Sequence, residues 1–366
     1  MSSYEGASVL SDRRLSQAPV AGVRDSLIWV DLLRVVATFG VILVHVSHPF
    51  LVAFAQESME GWWVANIYNS MLRSCVPIFF MVSGYLLLQK DESIGKFFSK
   101  RFNKVLVPFV FWSLFYLWWK VYVDHWSDDF FIEFKQLLNT PAFYHLWFLY
   151  SLVGLYLIVP ILRKVALNSN KTTMLYILLG WLVAEGVMPL VYEETDFSWD
   201  IKLEFLGQFG GYMVLGYWLG GVSLSKVNVV LAGIAFILAS AATAWGTYVF
   251  SQDAGYMNEF FYENLSLTVI VMAVAEFVLI KHWAERKDLS RWAGNISLLG
   301  GLCFGVYLVH PLMIVVLNQG RLGFTVDAAQ FPPGYGLPMV TVLVFFLSAL
   351  FTWTLRKIPY VKKIVP

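Results

Sequence analysis

Asp31, Arg34, Thr38, His45 and His48 fall within one otherwise apolar stretch, residues 27–50. If that stretch is a membrane helix, each ionisable group in it costs at least a few kcal/mol unless it meets a partner or a cavity. These residues are therefore the first candidates for chemistry. Arg34 and His45 are separated by three helical turns, which leaves them about 20° apart in direction and about 16 Å apart in height. The five side chains then form a polar stripe along much of the membrane thickness, and the stripe must face inward. A guanidinium can hold an anionic group by paired hydrogen bonds. An imidazole, with an unperturbed pKa of about 6.5, accepts a proton at neutral pH. For Arg34 the alternative is snorkelling to the headgroups. For His48, next to Pro49, it is a solvated interfacial position.

Other polar residues in apolar runs carry weaker signals. Glu185 and Glu276 suit proton partners or packing pairs. His310 precedes Pro311 in the run Gly305-Val306-Tyr307-Leu308-Val309-His310. His145 stands beside Tyr144 and Trp147, where an interfacial aromatic belt is expected. Ser83-Gly84 and Gly220-Gly221 suit close helix contacts. Cys75 and Cys303 both lie in apolar runs, so neither a disulfide framework nor a metal site is expected. No phosphate-binding glycine loop, dinucleotide fingerprint or zinc-protease motif is present.

The elements that must position these residues follow from composition. Of 366 residues, 58% are hydrophobic, 17% aromatic and 14% charged, against about 25% charged in soluble domains. That excludes an ordinary soluble enzyme and a disordered chain, and the net charge of +1 argues against nucleic acid as a partner. The expected fold class is all-α, a polytopic membrane protein. Ten spans of suitable length lie at about 27–50, 71–89, 105–123, 144–163, 173–191, 204–224, 227–250, 265–281, 296–318 and 338–355. Of the 26 Lys and Arg, all but Arg73, Lys120, Lys135, Lys202 and Arg321 fall on one side of that arrangement. Acids such as Asp124, Asp128, Asp129, Glu133, Glu193, Glu194, Asp196 and Asp200 fall on the other. By the positive-inside rule both termini are cytoplasmic. Residues 1–26 read as a flexible cytoplasmic tail, 27–355 as one membrane domain and 356–366 as a basic cytoplasmic tail. The outer segments 124–143 and 251–264, with Trp126, Phe130, Phe131, Tyr256, Phe260, Phe261 and Tyr262, are expected to lie along the interface.

Four motifs in order resemble acyltransferase family 3. Asp31-Leu32-Leu33-Arg34-Val35-Val36-Ala37, continued to His45, is similar to that family's opening motif and its Arg-x10-His signature. Phe79-Phe80-Met81-Val82-Ser83-Gly84-Tyr85-Leu86 resembles its second-span stretch. His145-Leu146-Trp147-Phe148 resembles a middle-span opening, and Gly305 to His310 a late element. Cys303 departs from the Ser common at that position. The resemblance implies a bacterial inner-membrane, multi-pass enzyme that O-acylates, commonly O-acetylates, surface polysaccharides or their lipid-linked precursors.

The resemblance and the stripe together imply a division of labour. Acetyl-CoA or another acyl-CoA, a co-substrate with no permanently bound cofactor and no metal, would enter from the cytoplasm. Its anionic part would lie near Arg34, Lys100 and Arg101. His45 would act as general base or as the site of an acyl intermediate, two routes that remain open. Asp31, Ser83, Tyr85, Tyr307 and His310 would line the substrate site, and the acceptor would be a polysaccharide or lipid-linked glycan. The rival reading is a transporter or flippase without chemistry of its own.

Overall fold

The computed structural model describes residues 27–54, 58–125, 129–137, 139–195 and 208–366. The expected tail 1–26, together with Trp126, Asp128, Asp196, Asp200 and Lys202, lies outside the described residues. No strand occurs among those described. The helices are α1 (Ile28–Val52), α2 (Met59–Leu72), α3 (Cys75–Leu88), α4 (Ile94–Arg101), α5 (Val107–Tyr122), α6 (Phe130–Gln136) and α7 (Trp147–Asn168). They continue with α8 (Lys171–Trp181), α9 (Met188–Thr195), α10 (Gln208–Gly221), α11 (Lys226–Ala254), α12 (Leu267–Arg286), α13 (Ala293–Asn318) and α14 (Pro333–Lys357). Among the described residues, 9 helical spans are long and apolar enough to cross a membrane. The protein is a polytopic, all-helical membrane protein.

α1 is unbroken over 25 residues, so it carries the whole polar stripe on one rod. It packs against α2, α3, α12, α13 and α14, which places the stripe inside the bundle. The second span is longer than its apolar core. It covers 30 residues, Met59–Leu88, with a break at Arg73-Ser74 between α2 and α3. Asn66, Asn69 and Ser70 make α2 look like loop in the sequence, yet all three are fully buried. Asn66 donates to the Ala244 carbonyl at 2.9 Å, Asn69 to the Ser47 hydroxyl at 2.8 Å, and Ser70 to the Asn66 side-chain oxygen at 3.0 Å. Polar groups paired in this way remove the objection to burial.

The expected sixth span, 204–224, is represented by α10, 14 residues long, with residues 196–207 outside the described set. α10 lies flush on α3 because each helix offers glycine to the other's backbone. A Cβ on Gly84 would sit 2.0 Å from the Met213 carbonyl oxygen, and one on Gly216 would sit 2.0 Å from that of Met81. Small residues that bring backbones together are a usual source of helix association in lipid.

In the outer segment 251–264 Tyr256 is exposed, while the two ends of the segment are tied into the bundle. α11 continues to Ala254, and Tyr262 is fully buried, its hydroxyl bonded to the Asn66 side chain at 2.5 Å. Phe260 and Phe261 pack on Phe250 with ring centroids 5.5 and 5.1 Å away. Residues 130–136 do form a short helix, α6, with Phe131 exposed.

Ser297, near the start of α13, donates to Asp31 at 2.9 Å. Arg356, at the end of α14, donates to the Gly301 and Val365 carbonyls at 2.7 and 2.8 Å. Trp112 holds the Ile364 carbonyl at 2.9 Å. The start of α1 and the end of the chain therefore meet at one end of the bundle. Near α4, Glu92 accepts from Lys100 at 2.5 Å and lies 3.6 Å from Arg163. The Lys100 hydrogen bond holds the Glu92 carboxyl below its ordinary value. The folded form thus prefers ionised Glu92. That stabilisation is complete above the unfolded value of about 4.3 and is lost as pH falls through the lower folded value. Glu92→Gln should leave Arg163 short of its buried acid, costing roughly 1–3 kcal/mol at neutral pH. Thermal melts should show the variant and wild type converging in acid; an equal gap at every pH would refute this.

Candidate functional site

Three histidines from three parts of the chain converge in the middle of the bundle. His45 comes from α1, His145 from the turn leading into α7, and His310 from α13. The His45 and His310 rings are stacked, with centroids 5.4 Å apart and planes 21° apart. His145 stands edge-on to His310, also at 5.4 Å. Tyr144 lies 4.6 Å from His45. The cluster is locked from behind. Tyr307 donates its hydroxyl to the His145 carbonyl, and Tyr116 donates to the Leu308 carbonyl at 2.7 Å. His310 Nδ1 lies 2.7 Å from the Tyr307 carbonyl. A carbonyl only accepts, so Nδ1 carries the proton and Nε2 keeps its lone pair in the neutral ring.

His45 opens onto a pocket. That pocket is about 400 Å³ and is also lined by Val41, Val44, Arg73, Cys75, Val76, Trp147, Phe209, Glu259, Tyr262, Glu263 and Asn264. Arg73 sits in the break between α2 and α3. Its guanidinium lies 3.8 Å from the centre of the Tyr262 ring and donates weakly to the Tyr262 carbonyl at 3.4 Å. Its Nε is buried without a hydrogen-bond partner among the described residues. His48 reaches toward Glu259, 3.9 Å away, from a half-exposed position. The pocket thus joins an imidazole, a guanidinium with an unused donor, two carboxylates and a Trp face.

The other end of the stripe is differently arranged. Arg34 pairs with Asp31 at 3.1 Å, with about a third of its side chain exposed. It does not reach out alone to headgroups. Thr38 donates to the Arg34 carbonyl at 2.7 Å, so midway along the stripe the polar group is satisfied by its own helix. Cys303 is buried nearby on α13 and donates to the Leu299 carbonyl at 3.3 Å. Arg101 covers Phe97 and Tyr156, 5.2 and 5.8 Å from the ring centres, and lines an apolar groove of about 480 Å³ with Phe98, Phe102, Val153 and Leu157. Lys100 is engaged with Glu92.

Of the residues singled out in the sequence, Tyr307 and His310 join His45. Ser83 and Tyr85 do not line its pocket; they lie about 12 and 15 Å along α3 from Cys75, and Tyr85 packs on Trp29 at 4.7 Å. Glu276 accepts from Ser74 at 2.5 Å, a packing pair. His145 is a correction: it is fully buried in the cluster, away from any interfacial belt. Its place in one of the four ordered motifs was the available signal. Arg73 had appeared only as a charge on the sparse side of the topology, and Glu259 and Glu263 had not appeared at all.

Residues 27–357 match the family described as an acyltransferase domain. The chain is similar to an amino-acid racemase of Enterococcus faecalis, 23% identical over 318 residues, covering 79% of this chain and 41% of that protein. The chain therefore spans less than half of that relative's length. It is also similar to the inner membrane protein YcfT of Escherichia coli (strain K12), 20% identical over 347 residues, covering 87% and 88% of the two chains. No solved structure matches. With the family matched over nearly the whole membrane bundle that carries the histidine cluster, the chain belongs to acyltransferase family 3.

Proposed function

We propose that the protein is an O-acyltransferase of a bacterial inner membrane that moves an acyl group, by family default acetyl, from cytoplasmic acyl-CoA to a sugar hydroxyl presented on the outer face. The observation that carries this reading is the pocket in which His45 meets Arg73 and two carboxylates. It lies far along α1 from the end where Arg34, Lys100 and Arg101 gather. In this reading that basic end, with both chain ends, faces the cytoplasm and holds the donor's phosphates. His45 takes the proton of the attacking hydroxyl. The sugar oxygen bonds to the thioester carbonyl carbon, the carbon–sulfur bond breaks, and the proton leaves on the CoA thiol. The unused Nε of Arg73 suits the oxyanion that forms on the way. Stacking by His310 fixes the His45 ring, and Glu259, Glu263 and Trp147 suit the hydroxyls and apolar face of a sugar.

Purified protein in nanodiscs is expected to bind acetyl-CoA and to turn it over with a sugar acceptor. A well-folded protein that binds no acyl-CoA would overturn the proposal and favour a transporter. The donor end supplies a sharper prediction. A Cβ on Gly300 would fall 2.5 Å from that of Asp31, an overlap that no side-chain rotation relieves, so α1 and α13 must part locally and carry the Asp31–Arg34 pair with them. Gly300→Ala should raise the KM for acetyl-CoA several-fold. Gly301→Ala, whose nearest neighbour is the Arg356 guanidinium at 3.7 Å, should not.

A further inference from the structure

Arg101 is held by rings rather than by acids. Its guanidinium covers Phe97 and Tyr156, contacts that use none of its N–H donors in hydrogen bonds. Its Nε is buried without a hydrogen-bond partner among the described residues. Glu92, an acid within its electrostatic reach, is already bound to Lys100 at 2.5 Å and lies 3.6 Å from Arg163. Between residues 90 and 104 five Lys and Arg stand against Asp91 and Glu92. Lys90 feels that excess: burial, and after it Arg101, pushes its ammonium below the ordinary value.

The groove that Arg101 lines, about 480 Å³, opens on the outside of the bundle. Phe102 and Leu157 in its walls are exposed, and so is Ile161, one turn beyond Leu157 on α7. Apolar side chains left exposed on a spanning helix meet lipid tails, which are as apolar as they are. From Phe98 to Leu106 the groove follows the chain for about 12 Å. That stretch includes a π turn, Phe102–Leu106, a wide turn that recurs at functional positions in helices. The polar side chains at its edge are Ser99 and Asn103, and Asn103 donates back to the Ser99 carbonyl at 3.1 Å.

An apolar trough that faces lipid and carries an unmatched guanidinium narrows the occupant to one class. A soluble phosphate ester would leave the apolar walls unfilled. A zwitterionic lipid would add a further cation to a segment that already has an excess of them. We propose that the groove between the π turn and α7 binds an anionic phospholipid, its phosphate held by the Arg101 guanidinium and one acyl chain lying against Phe98, Leu106, Val153 and Leu157. The phosphate gives Arg101 the anionic partner that no described residue supplies, and a guanidinium suits it because two parallel N–H···O bonds can form. The assignment does not rest on the acyl-transfer reading. In that reading, the donor meets the basic end elsewhere than in this groove.

The test is photolabelling of the full chain in phosphatidylcholine nanodiscs doped with phosphatidylglycerol that carries a diazirine in one acyl chain. Label should concentrate in residues 98–106 and 153–157. Phosphatidylcholine with the same diazirine should label the lipid-facing sides of the helices without that concentration. Unlabelled phosphatidylglycerol should suppress the groove label, whereas acetyl-CoA and inorganic phosphate should not. Arg101→Gln should lower the preference for phosphatidylglycerol over phosphatidylcholine about fivefold, the effect of one cation on an anionic lipid, and Arg101→Lys should retain part of it. Leu157→Trp, at an exposed position, should abolish the groove label in protein that still runs as a single species on size exclusion, and Leu157→Ala should keep it. If Leu157→Trp does not fold, Val153→Trp takes its place. Equal labelling by the two lipids, an unchanged preference in Arg101→Gln, displacement by acetyl-CoA, or label untouched by the Trp variant would overturn the inference.

Discussion

His45→Ala is expected to reduce acyl transfer by about 10²–10⁴-fold, the range for loss of a positioned general base, with little change in folded yield. The two expectations rest on different observations. The His45 ring is stacked on His310 and packs at 55° to Tyr144, and it borders the open pocket. Truncation therefore enlarges a space that already exists, and it leaves the paired groups behind it in place: the Tyr307 hydroxyl on the His145 carbonyl and Tyr116 on Leu308. The checks are steady-state turnover of acetyl-CoA with acceptor, and acetyl-CoA binding to both proteins. Unimpaired binding with lost turnover is the expected pair of results. Full residual turnover would remove His45 from the chemistry.

The second large effect concerns assembly of the bundle. Gly84→Ala or Gly216→Ala is expected to abolish recovery of monodisperse protein. Each added methyl would lie 2.0 Å from a backbone carbonyl oxygen of the facing helix, and no rotamer change relieves a clash with backbone. Moving α10 off α3 would also disturb Tyr212, buried on α10 and bonded to the Asn264 carbonyl at 2.6 Å, and so the edge of the His45 pocket, which Asn264 lines. Gly233→Ala on the lipid side of α11, with nothing within 4 Å of the new carbon, is the matched control and should express normally. If Gly84→Ala and Gly233→Ala behaved alike in size-exclusion profiles, close backbone contact would not be what holds α3 to α10.

Much of this molecule could be read before any coordinates. Spans declare themselves because lipid demands long apolar runs, and the Arg34–His45 stripe is visible because one helix carries it at a fixed period. What sequence hides is convergence between helices. His145 and His310 meet His45 from segments 100 and more residues away, and no periodicity along a single chain can announce that. Arg73 was hidden for a related reason. A lone cation at the sparse end of a topology looks like a loop charge until Tyr262 is found beneath it and its Nε is found without a partner. α2 was missed because Asn66 and Asn69 read as solvent-loving, whereas each is used inside the bundle. Ser83 and Tyr85 were drawn into the site by belonging to a motif, yet that motif's role here is largely architectural, since Gly84 is its point of contact.

The interruption at Arg73-Ser74 has an electrical consequence. Dividing a 30-residue span into two helices starts α3 afresh at Cys75, and Cys75 and Val76, its first residues, form part of the wall facing His45. A helix start carries roughly half a positive charge from its aligned peptide dipoles, and it does so without a titratable group. The break therefore sets the positive end of α3 beside the negative end of α2, and because Cys75 and Val76 line the pocket while Leu72 does not, it is the positive end, indifferent to pH, that borders the place where negative charge would gather on an attacked carbonyl.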